Sequence, residues 1–568
     1  MDDTFMLITA WVQTDPRQDI ETRLRSAYGH VGVSITITSL TNLLSFLMGA
    51  VTPFPAISIF CLYMSFSLVL CYFFQITLFG GFLVIFARFE ERGRHSLFFW
   101  TDVVMEEQAK DKSKLFRLMM TASSDKERQD TAITRFFRDK LGEWMTRPGV
   151  KSIVLLVFTA YLAVSIVGIT NISTGMDIKD LVRTDSYAHD MFQVMRDYFT
   201  KYQIRYQIVL NETMDFADPN VQREVENMLQ KFESIPNAAD SSVTWSWLRM
   251  YKRFQTDYRT KDLLFGYNMT KKEEFIKGLR DVFFRFPVGR LFEKDVLFNE
   301  NFTEIRTTRY FMLIYELKDS TAEKNLYKDL STIKNSLPFS VATYNQFFPY
   351  FYQYTIITPS TVTSLSVATL ILLITIFIFI PNFACALAVT FSVISVEIGV
   401  MGFMSFWNVS LNGIVMMSLV TCVGLSVDYA AHVSYAYISS TEKDPNKRLI
   451  NSIYCTGTPI VQSSLSTLLS IVLVFFLPSR TFLSPAKNIF LLIIFAVYHS
   501  IFLLPILLSL GTTILEKVTK ENKSDSSKCT IRSIDGSITD IYKEKDLNAH
   551  AYINQNFSDS NSVIVIRL

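Results

Sequence analysis

The chain has 568 residues and a formal net charge of +2, so one small domain is excluded and no basic surplus points to nucleic acid. Apolar residues make up 49% of it, an ordinary share. Their distribution decides more: they are gathered into long runs almost free of charge, and the charges lie between the runs.

In chain order, Met1 is followed at once by Asp2 and Asp3, not by the basic stretch of a cleavable signal peptide, so targeting is expected from the first hydrophobic helix. The apolar piece Phe5–Val12 is too short to cross a membrane and reads as the cytosolic end of a helix whose beginning is missing. Eight later runs reach the roughly 20 apolar residues that spanning requires, at about 31–50, 56–86, 151–170, 356–380, 384–407, 411–438, 455–477 and 487–511. Thr52-Pro-Phe-Pro55 reads as a tight outer turn between the first two, because each proline fixes φ and lacks an N–H. The segment from Arg88 to Arg147 carries about 13 Lys and Arg near two helix ends, which places it in the cytosol.

Alternation then puts residues 171–355 outside or in a lumen. Four Asn-x-Ser/Thr sequons lie there, at Asn171, Asn211, Asn268 and Asn301, and mark glycosylation candidates. The stretch is long enough for a folded domain. Ser186–Thr200 and Pro219–Phe232 have helical spacing, while Arg205–Leu210 and Tyr310–Glu316 read as strands, so an α+β domain is expected. It contains no cysteine, hence no internal disulfide. The six cysteines, Cys61, Cys71, Cys385, Cys422, Cys455 and Cys529, form no Cys-x-x-Cys pair for redox or zinc chemistry. The tail beyond about Leu515 is polar and is expected to be disordered.

An internal repeat organises the spans. Ser39-Leu-Thr-Asn-Leu-Leu-Ser45 recurs as Ser464-Leu-Ser-Thr-Leu-Leu-Ser470; Asp2 lies 37 residues before the first copy and Asp428 36 before the second. Acidic helix, polar loop, helix, helix thus occurs twice, the mark of a duplicated transporter.

Asp428 stands inside a span, in Gly424-Leu-Ser-Val-Asp-Tyr-Ala-Ala-His432. A carboxylate there costs about 2.5–3.5 kcal/mol to insert, so it is expected to face the bundle interior and to work. His432, four residues on, shares its helix face, and an Asp–His pair can pass a proton; the alternative is a structural hydrogen bond between helices. Asp2 and Asp3 are the repeat-equivalent acids, or else residues of a frayed terminus. Glu397 is a possible additional relay member or an acid near the membrane boundary. No P-loop and no His-Glu-x-x-His is present, and Gly424-Leu-Ser426-Val-Asp428 lacks the last glycine of a nucleophile elbow. No enzyme activity, catalytic residue, metal or cofactor is expected.

These residues resemble a known family. Val33-Ser-Ile-Thr-Ile-Thr-Ser-Leu-Thr-Asn42, Thr52-Pro-Phe-Pro-Ala-Ile57 and Phe60-Cys-Leu-Tyr63 are similar to the sterol-sensing region of Patched-related proteins. Asp2-Asp3 resembles the end of their fourth-helix Gly-Asp-Asp motif, and Gly424–His432 their tenth-helix motif; Gly399-Val-Met-Gly-Phe-Met404 and Asp185-Ser-Tyr187 also fit. The resemblance implies the resistance–nodulation–division (RND) architecture, a polytopic α-helical bundle with twelve helices and two outer domains. This chain would supply the end of helix four with helices five and six (1–87), a cytosolic linker (88–149), helix seven (150–170), one α+β outer domain (171–355), helices eight to twelve (356–512) and a cytosolic tail (513–568). Lacking the glycine before Asp2, it would be an N-terminally truncated member or else one that needs a partner. The resemblance further implies ion-coupled export of a sterol or other membrane lipid, with a proton or sodium ion relayed by Asp2, Asp3, Asp428 and His432. A secreted protein ligand, and a plasma or endosomal membrane, belong to the same expectation. A non-transporting receptor and a sterol-responsive scaffold are the alternatives.

Overall fold

The computed structural model describes residues 2–92, 94, 101, 104–105, 121–122, 132–176, 178–199, 204–315, 317, 319–380 and 382–514. The expected tail from 515 onward and much of the 88–149 linker lie outside the described residues.

Eight of the described helices are long and apolar enough to span a membrane. A short helix α1 (Asp2–Val12) precedes them. Then come α2 (Ile20–Gly49), α3 (Pro55–Glu91, with a π turn at Gln75–Phe79) and α4 (Pro148–Thr170). Pro55 takes the first position of α3, where its missing N–H costs nothing, so the Thr52–Pro55 segment ends one span and starts the next. Helix α2 begins eleven residues before the predicted run, because the amphipathic turns from Ile20 to His30 are capped by Asp19, which accepts from Thr22 N at 3.2 Å.

The α+β domain follows α4. Its elements are α5 (Tyr187–Tyr198), β1 (Ile204–Leu210), α6 (Pro219–Glu233), α7 (Trp247–Thr256), β2 (Val296–Phe298), β3 (Ile305–Ile314), α8 (Ser320–Asn335) and β4 (Val341–Tyr344). The sheet is antiparallel, in the order β2-β3-β1-β4. Ile204, Tyr206, Ile208 and Leu210 alternate inward from β1, as a sheet with one covered face requires. They meet Val225, Leu229 and Phe232 of α6 and Trp247 and Tyr251 of α7 in one core. Beside that core, Arg249 bridges Glu226 and Glu233 at 2.6 Å. Burial pulls its guanidinium down, but the bonds to Glu233 and Glu226 outweigh that and hold it above its usual value.

Five more spans complete the bundle, beginning with α9 (Phe348–Phe379), α10 (Phe383–Phe406), α11 (Gly413–Ile438) and α12 (Pro445–Phe476). The last, α13, runs Arg480–Ile514. Helix α9 has 32 residues, about 48 Å at 1.5 Å each, more than a bilayer's hydrocarbon core of roughly 30 Å. Its first turns leave the bundle, and Phe348, Phe351 and Tyr354 join the core of the α+β domain. That is why the span starts before residue 356: apolar side chains there serve a soluble core.

The repeat is built as an exchange. α1 packs on α2 and α12, and α11 packs on α12 and α2. Each acidic helix therefore touches the Ser/Thr-rich helix of its own half and that of the other half.

Candidate functional site

The two Ser/Thr-rich helices carry buried hydroxyls and an amide where α1 and α11 cross them. Thr38, Thr41, Asn42 and Ser45 of α2 and Ser463 and Ser464 of α12 are all buried. The Thr and Ser hydroxyls are tied to carbonyls of their own helices, which satisfies them in an apolar setting. Asn42 is different. Its Nδ2 donates across the helix interface to Asp428 Oδ1 at 2.8 Å.

Asp428 is 6% exposed, and among the described residues Asn42 is its hydrogen-bond partner. Gly424 makes that contact geometrically open. It lies one turn before Asp428 on the same face, and a methyl there would overlap Asn42 Oδ1. The sequence motif thus contains both the carboxylate and the gap through which its partner reaches it.

His432, one turn after Asp428, does not pair with it. Its Nδ1 lies 2.8 Å from Ser34 Oγ and its Nε2 lies 3.5 Å from Asp3 Oδ1. Asp3 also accepts from Thr38 Oγ1 at 3.2 Å. Asp2 faces the Ser463 hydroxyl, which is itself 3.5 Å from the Tyr429 hydroxyl. Asp2, Asp3, Asp428 and His432 are therefore gathered at one place, between α1, α2, α11 and α12. Asp3 lies 36 residues before Ser39, the same offset as Asp428 before Ser464, so Asp3 is the register-equivalent of Asp428 and Asp2 its neighbour.

Glu397 sits mid-way along α10, 5% exposed, and among the described residues neither carboxylate oxygen has a hydrogen-bond partner. Its titratable neighbours are Tyr161 and Cys422, so it stands apart from the four-residue cluster. The sequons differ again: Asn171, Asn211, Asn268 and Asn301 are all exposed, Asn171 at the end of α4 and the others on the α+β domain. Among the described residues no group of three or more His, Cys, Asp or Glu is arranged to hold a metal ion.

Sequence reasoning missed Ser34, Thr38, Asn42, Ser463 and Gly424 as parts of this site. One signal was present: an asparagine inside an apolar run has to find a partner, and Asn42 belongs to the repeated heptapeptide. Chemically, the cluster sets three carboxylates beside one imidazole, with hydroxyls and an amide as further oxygen ligands or donors. Such a set can take up a proton, and a change in its protonation alters the charge where four helices meet.

The chain is similar to several known proteins. A family model described as Patched SSD matches residues 1–85, and one described as the AcrB/AcrD/AcrF family matches residues 312–528. Patched-related protein 9 of Caenorhabditis elegans is 24% identical over 511 residues, covering 89% of this chain and 56% of that protein. The Niemann-Pick type C1-related protein of Toxoplasma gondii is 26% identical over 393 residues, 66% of this chain and 31% of that one. The NPC intracellular cholesterol transporter 1 homolog 1b of Drosophila melanogaster is 22% identical over 573 residues, 90% of this chain and 45% of that one. The solved structure of the hedgehog release protein Disp from a water bear, Hypsibius dujardini, shares the fold with a TM-score of 0.59 at 16% identity, covering 90% of this chain and 62% of that chain. The chain spans less than two thirds of the length of each of these proteins.

Proposed function

Because the chain belongs to the Patched-related, sterol-sensing-domain branch of the RND superfamily, we propose that it works in ion-coupled movement of a sterol or related membrane lipid. A proton or sodium ion binds at Asp3, Asp428 and Asp2, with His432 linking α11 to α1. The observation that carries this is the meeting of two repeat-related acids, Asp3 and Asp428, at one four-helix junction. His432 is 3.5 Å from the first and Asn42 is 2.8 Å from the second. An ion bound there compensates like charges that otherwise repel, and so favours the arrangement in which α1 and α11 face each other between α2 and α12. Differential binding of this kind is what coupling requires.

In this proposal the basic segment around Arg88–Arg147 faces the cytosol, and the α+β domain faces the outside or a lumen and meets the lipid or a secreted protein ligand. One relative is named as a cholesterol transporter homolog and one fold neighbour as a hedgehog release protein, which supports a sterol or lipid substrate and a secreted protein ligand.

The test is Asp428→Asn, which keeps the shape and removes the titratable charge. In membranes containing the full-length protein, ion-driven efflux of a fluorescent sterol is expected to fall by about 5- to 150-fold, the range of typical coupling energies. Undiminished efflux would reject the relay. If ligand binding to the α+β domain persisted without any ion-dependent efflux in the wild type, the receptor alternative would take its place.

A further inference from the structure

The cluster opens to one side through a cavity. Its volume is about 360 Å³, and it is bounded by α1, α2, α11 and α12. Ser34 and His432 form its inner end, and His432 Nε2 is the atom that lies 3.5 Å from Asp3. Ala436, one turn beyond His432, continues the wall. At its mouth Ser439, Ser440 and Thr441 belong to the α11–α12 connection, a segment that goes on to Lys443, Lys447 and Arg448.

Among the described residues two buried polar atoms along this cavity make no hydrogen bond: His432 Nε2 at the inner end, whose ion-pair contact to Asp3 is 3.5 Å, and Gln13 Nε2 just past the end of α1. His432 is 1% exposed. Buried donors and acceptors are normally satisfied, and in a polar cavity of this size water satisfies them. Beyond Asp428 the path narrows: Asn42, Ser45, Val420 and Val423 are all buried.

We propose that this cavity is a water-filled vestibule through which the coupling cation exchanges between the cytosol and the acid cluster, with the Ser34–His432 contact as its inner gate. The ion therefore reaches Asp3 past His432 from the cytosolic face, while Asp428 is closed behind Asn42. The inference rests on the relay and the orientation proposed above; it adds the side of access and the residues that form the path.

Substituted cysteines test it in the full chain. Ser34→Cys and Ala436→Cys line the vestibule, and Ser45→Cys lies beyond Asp428. Inside-out and right-side-out membrane vesicles are treated with a cationic, membrane-impermeant methanethiosulfonate. Peptide mass mapping then separates the introduced site from native cysteines. Modification of Ala436→Cys and, more slowly, of Ser34→Cys is expected from the cytosolic face, with Ser45→Cys unmodified. Labelling of Ser34→Cys from the outer face overturns the proposal. So does an inert Ser34→Cys and Ala436→Cys pair in protein whose mouth residue, as Ser439→Cys, reacts. The two readings fail separately. If Asp428→Asn keeps full efflux while Ser34→Cys labels from the cytosol, the relay falls and the vestibule stands. If Asp428→Asn abolishes efflux while the vestibule cysteines are inert, the reverse holds.

Discussion

Gly424, Asn42 and Asp428 act as one unit at the residue scale. Asn42 donates to Asp428 across the interface, and Gly424 leaves the space in which Asn42 lies. Replacing Asn42 with alanine leaves a buried carboxylate without its donor, a loss of about 1–3 kcal/mol. Gly424→Ala is expected to act through the same contact, by pushing the Asn42 side chain away. Thermal unfolding of the purified protein in detergent should show both single losses and a double variant well short of their sum. The coupling should be about 0.5–3 kcal/mol, as for residues in contact; full additivity would mean that Gly424 serves something else. Asp428 was legible in the sequence because a charge inside an apolar run is conspicuous. Asn42 was not, because a polar residue in a helix shows nothing of the helix it will face.

Helix and strand identity followed from periodicity at the element scale, while boundaries were set by neighbours. Strand β3 starts at Ile305, earlier than its alternation suggests, because a bulge interrupts the register: Leu297 pairs with Thr307 but Phe298 pairs with Ile305. The extra residue, Arg306, breaks the two-residue period on which sequence reasoning relies. The helix predicted at Ser186–Thr200 forms as Tyr187–Tyr198, with the Ser186 hydroxyl capping it through His189 N. Helices α4 and α10 show a packing device that pattern alone did not reveal. A methyl at Gly168 would overlap the Gly402 backbone, and one at Gly402 would overlap the Ser165 backbone, the close approach that small residues allow between membrane helices. Gly402→Leu is therefore expected to cost about 1–3 kcal/mol by overpacking. Gly81→Ala, where a methyl meets nothing within 4 Å, should leave the melting temperature unchanged or slightly raised. Equal melting temperatures for Gly402→Leu and wild type would show that α4 and α10 do not approach so closely.

The repeat sets the architecture at the scale of the whole molecule. Its two acidic helices, α1 and α11, each pack on both Ser/Thr-rich helices, which brings residues more than 400 positions apart into one cluster. The proposed orientation makes a direct prediction. Asn211, Asn268 and Asn301 are exposed on the α+β domain and should carry N-linked glycans when the protein is made in a eukaryotic secretory pathway. Glycosidase treatment should then lower the apparent mass, and replacing these three together with Asn171 by Gln should abolish that shift. A membrane-inserted protein with no shift in either form would argue for the opposite topology, and the vestibule would then open to the outside.

The sequence by itself determined that this is a multi-pass helical membrane protein with an α+β domain, that its spans repeat, and that Asp428 is an expensive residue to keep. Those conclusions follow from local quantities: run length, charge density and the offset between like segments. Only the tertiary structure decided what the acids face. It turned His432 to Ser34 and Asp3 rather than to Asp428, seated Asn42 against Gly424, and set Glu397 apart in the middle of α10. The reason is physical. Periodicity tells which face of a helix is polar, but the partner of that face depends on how two halves of a chain pack. That is a long-range contact with no trace in the spacing of either half.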